Sequence, residues 1–228
     1  MKQTPIHDNF NADLLAMMPA GARRIVEVGC SGGALAREYR KANPRCEYIG
    51  IEIDEGYAAI ARDRCTRVLS GSIEQLPDPD FDSLTPADCW VFGDVLEHLY
   101  DPWAVLRRLR RAATPETSIV ACIPNAQHWS VQLRLNSGLF RYEDAGLLDR
   151  THIRWFTRRT IAELFASTGF RIVEGSGRTF DEPHRERGLA AVRAMAAAIG
   201  ADVEACVQDA APLQWLVRAV PGGEGAGT

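Results

Sequence analysis

The stretch Ile25-Val26-Glu27-Val28-Gly29-Cys30-Ser31-Gly32-Gly33 constrains this chain more than any other. An apolar run ends in an acid, a turn of glycine and small residues follows, and the Ala-rich helical pattern of residues 34–41 begins at once. A second apolar run, Tyr48-Ile49-Gly50-Ile51, ends in Glu52. Strand, glycine turn, helix, strand and acid, in that order, suit a nucleoside-bearing ligand. The glycines let backbone approach the ligand, and the helix start offers unpaired N–H groups. An acid at the tip of the second strand accepts hydrogen bonds from both ribose hydroxyls.

The spacing within the turn narrows the ligand. The pattern is acid-x-Gly-x-Ser-x-Gly (Glu27, Gly29, Ser31, Gly33), whereas a dinucleotide turn reads Gly-x-Gly-x-x-Gly and seats a pyrophosphate. A carboxylate at Glu27 repels a diphosphate but suits an ammonium group, which argues against an NAD-dependent oxidoreductase. S-adenosylmethionine carries an amino acid end, a sulfonium and no phosphate. The stretch resembles motif I of the class I S-adenosylmethionine-dependent methyltransferases, with Ser31 where the second glycine usually stands and Gly32 beside it. The resemblance implies cofactor contacts from Glu27, Gly29, Cys30, Ser31, Gly33, Glu52 and Ile53.

Two later segments extend it. Ala87 to Asp94 reads as a buried strand after the turn-rich linker Pro77 to Pro86. It runs into Asp94-Val95-Leu96-Glu97-His98-Leu99-Tyr100-Asp101-Pro102, similar to the "D-V-L-E-H-x-x-D-P" segment after the fourth strand of many small-molecule methyltransferases. Asp101-Pro102 opens a helix with proline at its first position. Leu69-Ser70-Gly71-Ser72-Ile73-Glu74 stands where the family has Gly-Asp. The adenine-contacting acid is Ser72 here, so that contact falls to the Ser72 hydroxyl, to backbone or to Glu74. By the same resemblance Ser72, Ile73, Gly93, Asp94 and Leu96 flank the cofactor.

Strands are expected at 24–29, 47–53, 66–70, 88–93 and 118–123, with helices at 10–18, 33–42, 55–64 and 102–112. Such alternation implies parallel pairing and right-handed crossovers. Thr157–Thr168 is expected as a helix capped by Thr157 and stopped by Gly169, with strands at 170–174 and 214–220. The fold class is therefore α/β: a Rossmann-like, doubly wound, mostly parallel seven-stranded sheet whose last strand is antiparallel. One methyltransferase domain is expected over 1–221, with a lid insertion after strand five at about 124–156 and a helical insertion at about 184–211. Residues 222–228 form a glycine-rich tail expected to be disordered.

Composition bears on partners and compartment. At 228 residues and a net charge of −4, the chain carries a substantial core and no global basic field that argues for nucleic acid. The arginines at 107, 108, 110 and 111 share a helix with Leu106 and Leu109 and read as a solvated face. The six cysteines lack C-x-x-C spacing, and Cys46, Cys89 and Cys122 lie in apolar strands, as small hydrophobes do in a reducing compartment. No apolar run reaches about 18 residues, so no membrane span or signal peptide is expected. A cytoplasmic protein, monomeric or homodimeric, is the expectation.

Acceptor recognition is expected beyond the cofactor half. A structureless loop from Pro124 to Thr157 is improbable in a compact domain, so this stretch reads as a helix at 130–136 and a lid. Pro124-Asn125 and the closing L-D-R-T-H-I-R-W-F-T resemble a methyltransferase subgroup associated with glycan and O-antigen synthesis, which implies a sugar or sugar-containing acceptor. Methyl transfer from a sulfonium is a one-step displacement, and an alcohol acceptor invites a general base near neutral pH. His152, His128 and His98 are the candidates. Glu97, Asn125, Trp129, Tyr142, Asp149, Arg154 and Trp155 are candidate acceptor contacts: acids and amide for hydroxyls, aromatic rings for stacking. No metal site is expected. Asp94, Glu97 and His98 are close, but Pro124-Asn125 stands at strand five where a metal-binding acid pair would be.

The leading reading is thus O-methylation of a sugar or glycoconjugate hydroxyl with S-adenosylmethionine as cofactor. A quinone, polyketide or carboxylate acceptor is the alternative within the class. A non-catalytic cofactor-binding module is the alternative outside it, kept open by Ser31 and Ser72.

Overall fold

In the computed structural model, residues 8–223 are described. The end of the expected tail, residues 224–228, lies outside them. Seven strands form one sheet: β1 (Arg24–Val28), β2 (Glu47–Glu52), β3 (Arg67–Ser70), β4 (Cys89–Gly93), β5 (Ser118–Pro124), β6 (Phe170–Arg178) and β7 (Gln214–Pro221). Their order is β3-β2-β1-β4-β5-β7-β6. The first five strands pair in parallel. β7 enters antiparallel between β5 and β6. The order reverses between β1 and β4, so ligands are expected beyond the carboxyl ends of those two strands.

Alternation along the buried strands sorts side chains into two layers. Val26, Val28, Ile49, Ile51, Trp90 and Phe92 face α4 (Asp78–Asp82), α5 (Pro102–Ala112) and α7 (Arg158–Ser167). Ile25, Tyr48, Cys89 and Val91 face α1 (Ala12–Met17), α2 (Ala34–Ala42) and α3 (Glu55–Ala61). Each large apolar side chain so buried contributes about 1.5–3 kcal/mol. Two-sided burial explains why these strands read as continuous apolar runs. A third, smaller cluster lies where Trp129 of α6 (Trp129–Asn136) meets Val192 of α8 (Arg185–Ala198) and Ala210 of α9 (Val203–Ala210).

Several expected boundaries shift for local reasons. The first helix starts at Ala12 rather than residue 10, because the Asn11 side chain accepts the Leu14 N–H and caps it there. α3 ends at Ala61, and the chain turns through residues 62–65 into β3. β6 runs to Arg178 instead of 174, with a bulge between Ile172 and Glu174. In the added stretch a Cβ at Gly177 would stand 2.4 Å from Pro212 Cγ, so that glycine lets the segment before β7 pack close against β6. The insertion before β7 is two helices, divided at Gly200 (φ +70°) and restarted by the Asp202 cap. The linker at 77–86 holds the short helix α4.

Candidate active site

At the carboxyl end of β1 the chain adopts two left-handed residues and a left-handed helix cap in quick succession. Gly29 has φ +69°, Ser31 φ +48° and Gly33 φ +75°. A Cβ at Gly29 would lie 2.6 Å from Val95 Cγ2, so glycine is required by both conformation and space. Gly33 caps α2 without a side-chain hydrogen bond, leaving the first-turn amides without a side-chain cap. The Cys30 side chain is buried under Gly50, so only its backbone borders the turn.

Glu52 is 4% exposed, and both its carboxylate oxygens are engaged. Oε2 accepts the Ser31 N–H at 2.7 Å, and Oε1 accepts the Asp54 N–H at 2.9 Å. The acid therefore ties the glycine turn to the tip of β2. Each oxygen keeps a second lone pair for a ligand hydroxyl. Glu27 is buried and accepts the Tyr48 hydroxyl at 3.0 Å. Burial, with the neighbouring Cys65 and Glu52, holds its carboxyl well above the usual carboxylate range. A group that gains its charge only beside a cation is well suited to an ammonium. Tyr48 gave no sequence signal beyond its apolar run, because its role depends on strand pairing.

Asp94 follows β4 with φ +56°, its carboxylate held by the Gln214 amide at 2.5 Å from across the sheet. Burial pushes its carboxyl up to about 6. Leu96 and Ile73 are core residues, and Ile53 is exposed at the crevice rim. The Ser72 hydroxyl accepts the Glu74 N–H at 3.3 Å. Glu74 Oε2 and Oε1 accept the Tyr100 and Asp101 N–H groups at 3.2 and 2.8 Å, and each oxygen keeps a second lone pair.

On the expected acceptor side the structure brings three residues together. Leu96–His98 form a single 3₁₀ turn, and the end of the lid docks onto it. The Ile153 and Arg154 N–H groups both donate to the Glu97 carbonyl at 3.0 Å. Docking brings His152 beside His98, with ring centroids 4.8 Å apart. Each imidazole Nε2 lies 3.9 Å from Glu97 Oε1. Each Nδ1 points at a backbone carbonyl, Thr151 for His98 and Leu147 for His152, both at 3.1 Å. A carbonyl only accepts, so both Nδ1 atoms carry the proton and both Nε2 atoms present a lone pair.

Glu97 is 1% exposed, and neither of its carboxylate oxygens has a hydrogen-bond partner. Burial and the nearby Asp94 raise its carboxyl well above the ordinary range. Burial lowers both imidazoles below theirs, so they are neutral at pH 7. Asp149 does not reach into this centre. It accepts the Thr151 N–H and hydroxyl at 2.8 and 2.6 Å, and thereby fixes the carbonyl that orients His98. Thr151 and Gln214 escaped sequence reasoning because their effect passes through other residues.

Beside His152 stands an aromatic wall. Trp155 lies 6.1 Å from the His152 ring and 5.5 Å from Phe140, which meets the largely exposed Tyr142 at 6.1 Å. Phe140 joins the wall without having been singled out from sequence.

The remaining expected acceptor contacts are placed elsewhere. His128 is wholly buried, between the Ser130 hydroxyl at 2.8 Å and Glu182 at 3.1 Å, as the cap of α6. Asn125 is also wholly buried, its amide donating to the Asp209 and Pro212 carbonyls. Trp129 packs its ring on Gly188 of α8, where a Cβ would stand 2.1 Å away. The Arg154 guanidinium donates to the Tyr100 carbonyl. These four brace the lid. A depression of about 470 Å³ lined by Arg23, Arg24, Glu47 and Asp88 opens at the amino ends of the strands, away from this chemistry.

Residues 7–175 match a family model described as a methyltransferase domain. The ubiquinone biosynthesis O-methyltransferase of Azorhizobium caulinodans is 26% identical over 192 residues, covering 80% of this chain and 72% of that protein. The magnesium protoporphyrin IX methyltransferase of Synechocystis, solved with bound S-adenosylhomocysteine, superposes with a TM-score of 0.59 at 15% identity, covering 92% of this chain and 80% of that one. The mitomycin 7-O-methyltransferase superposes with a TM-score of 0.56 at 18% identity over 92% of this chain. This chain spans about half of that one, 52% of its length. With a family match over most of its length, the chain belongs to the methyltransferase domain family and is an S-adenosylmethionine-dependent methyltransferase.

Proposed function

We propose that the chain transfers the methyl group of S-adenosylmethionine to a hydroxyl oxygen of a small, ring-bearing acceptor. The observation that carries this reading is the pairing of a buried, unpartnered Glu97 with two Nε2 lone pairs beyond the end of β4. A hydroxyl must shed its proton as its oxygen attacks, and neutral imidazoles suit that task near pH 7. An amine acceptor needs less help from a base than a hydroxyl does.

In this reading Glu52 and the Gly29–Gly33 turn hold the nucleoside, and Glu27 receives the ammonium. His98 and His152 take the acceptor proton, with Glu97 compensating the charge that forms. Trp155, Phe140 and Tyr142 cover one face of the acceptor ring.

Two acceptor classes have support. A quinone-type acceptor is supported by the likeness to the ubiquinone biosynthesis O-methyltransferase. A sugar is supported by the resemblance carried in residues 147–157. Incubation with methyl-labelled S-adenosylmethionine and parallel panels of catechols and of nucleotide sugars tests both. Label in an ether product supports the reading. Label confined to amine or carboxylate acceptors overturns it.

A further inference from the structure

Among the described residues, one group of His, Cys, Asp and Glu side chains brings three donor atoms within 4.8 Å of one another: Glu97, His98 and His152. We propose that these three bind a divalent first-row transition-metal ion of Zn²⁺ or Mn²⁺ chemistry, leaving coordination positions open to the acceptor. What this ion does rests on the O-methyltransfer reading above; that it binds does not.

Three independent features support the site. First, the donors are two imidazole nitrogens and one carboxylate, a set used by catalytic sites that keep an open position. Second, both imidazoles are held the way metal-ligating histidines are. Each Nδ1–H is spent on a backbone carbonyl, which locks the tautomer and turns the Nε2 lone pair inward. Thr151, whose carbonyl orients His98, is itself fixed by Asp149. Third, the buried Glu97 carboxylate faces this space with neither oxygen paired. A buried carboxylate without a protein partner is rare in a folded protein, and ligation of an ion is one of the few roles that accounts for it.

The spacing is close to what coordination needs. Glu97 Oε1 stands 3.9 Å from each Nε2. A tetrahedral centre with bonds of about 2.1 Å sets its ligand atoms about 3.4 Å apart, so a slight rotation of the side chains closes the difference. The sequence suggested no metal because strand five carries no acid pair. The third ligand comes from the far end of the lid, which no local motif announces.

With an ion held there, both Nε2 lone pairs would be spent on it, so the ion would replace the imidazoles in activating the acceptor. A hydroxyl bound to it would lose its proton to water at a lower pH than in solution. The freed oxygen pair then attacks the methyl carbon, and the carbon–sulfur bond breaks with its electrons remaining on sulfur. The products are a methyl ether and the thioether S-adenosylhomocysteine.

The test uses the full chain, stripped with a chelator and titrated with Co²⁺ by visible absorption and with Zn²⁺ by calorimetry. S-adenosylhomocysteine is titrated separately to confirm folding and the cofactor site. We expect one ion per chain and a cobalt spectrum more intense than that of the aqueous ion. Affinity should fall at least about tenfold in His152→Gln and in His98→Gln. It should also weaken as pH falls, because imidazole ligands must be unprotonated to bind. If His152→Gln does not fold, His98→Gln carries the comparison, since that ring is partly exposed. Ion binding without S-adenosylhomocysteine binding would keep this proposal and remove the methyltransfer reading. A chain that binds S-adenosylhomocysteine but no stoichiometric Co²⁺ or Zn²⁺ overturns the proposal, as does affinity unchanged in both variants.

Discussion

Glu97 Oε1 and His152 Nε2 stand 3.9 Å apart, one on the turn after β4 and the other at the end of the lid. The contact depends on the Glu97 carbonyl, which receives both the Ile153 and Arg154 amides and so anchors the lid end. Removing the ring without disturbing that anchor separates chemistry from binding. His152→Gln should lower turnover by about 10²–10⁴-fold and leave S-adenosylhomocysteine affinity within a factor of two or three, roughly the range of a lost proton acceptor. Steady-state kinetics beside calorimetry checks the split.

The glycine turn offers a double test. Gly29→Ala places a methyl against Val95 and forces a β-carbon into the left-handed region. Left-handed strain alone costs about 1–2 kcal/mol. The variant should melt earlier and bind S-adenosylhomocysteine more weakly. Adding Val95→Ala should restore part of the stability but not all, because the backbone strain persists. Full recovery in the double variant would show that crowding alone was at work.

Glu52 holds two backbone amides as well as any ribose. Glu52→Ala should therefore lower the melting temperature of the ligand-free protein, since each orphaned amide costs about 1–3 kcal/mol. Cofactor affinity should fall too. A variant with unchanged ligand-free stability would contradict the role of Glu52 in tying the turn to β2.

Asp94 gives a signed pH dependence. Its carboxyl is pushed up to about 6 in the folded chain, from an ordinary value of 3.8. Between those values the folded state holds more proton than the unfolded one. Stability from this group is present below about pH 4 and is lost as pH rises through 6. Asp94→Asn keeps a side chain that tolerates the left-handed backbone. It should raise the melting temperature at pH 7 and not at pH 4, measured by thermal scans across that interval.

Much of the cofactor half was legible because its signals are local. The apolar run, the turn and the acid lie within residues 25–52, and their spacing survives in the structure. What was hidden is what only tertiary contact creates. Trp129 and Asn125 read as ligand contacts because both are polar-tipped residues in a long loop. The α8–α9 hairpin that buries them lies many residues downstream. Conversely, His152 was visible as a histidine, but its meeting with Glu97 and His98 was not.

The correction at Trp129 is itself testable. Gly188→Ala would press a methyl to 2.1 Å from the Trp129 ring. Overpacking of this kind costs about 1–3 kcal/mol. The variant should loosen the α6–α8 contact and raise protease cleavage in the lid. Cofactor affinity should be unaffected, and a selective loss of acceptor binding with no change in protection would return Trp129 to the acceptor pocket.

The most direct measurement is methyl transfer from labelled S-adenosylmethionine to a hydroxylated acceptor, followed from pH 5 to 8 in wild type and His152→Gln. Both imidazoles are held below their ordinary value of 6.5, so the wild-type rate should fall only on the acid side of that value, as they protonate. The variant should bind S-adenosylhomocysteine normally and transfer almost no label. A fully active His152→Gln with an unchanged acid limb would contradict the assignment of acceptor activation to the Glu97, His98 and His152 centre.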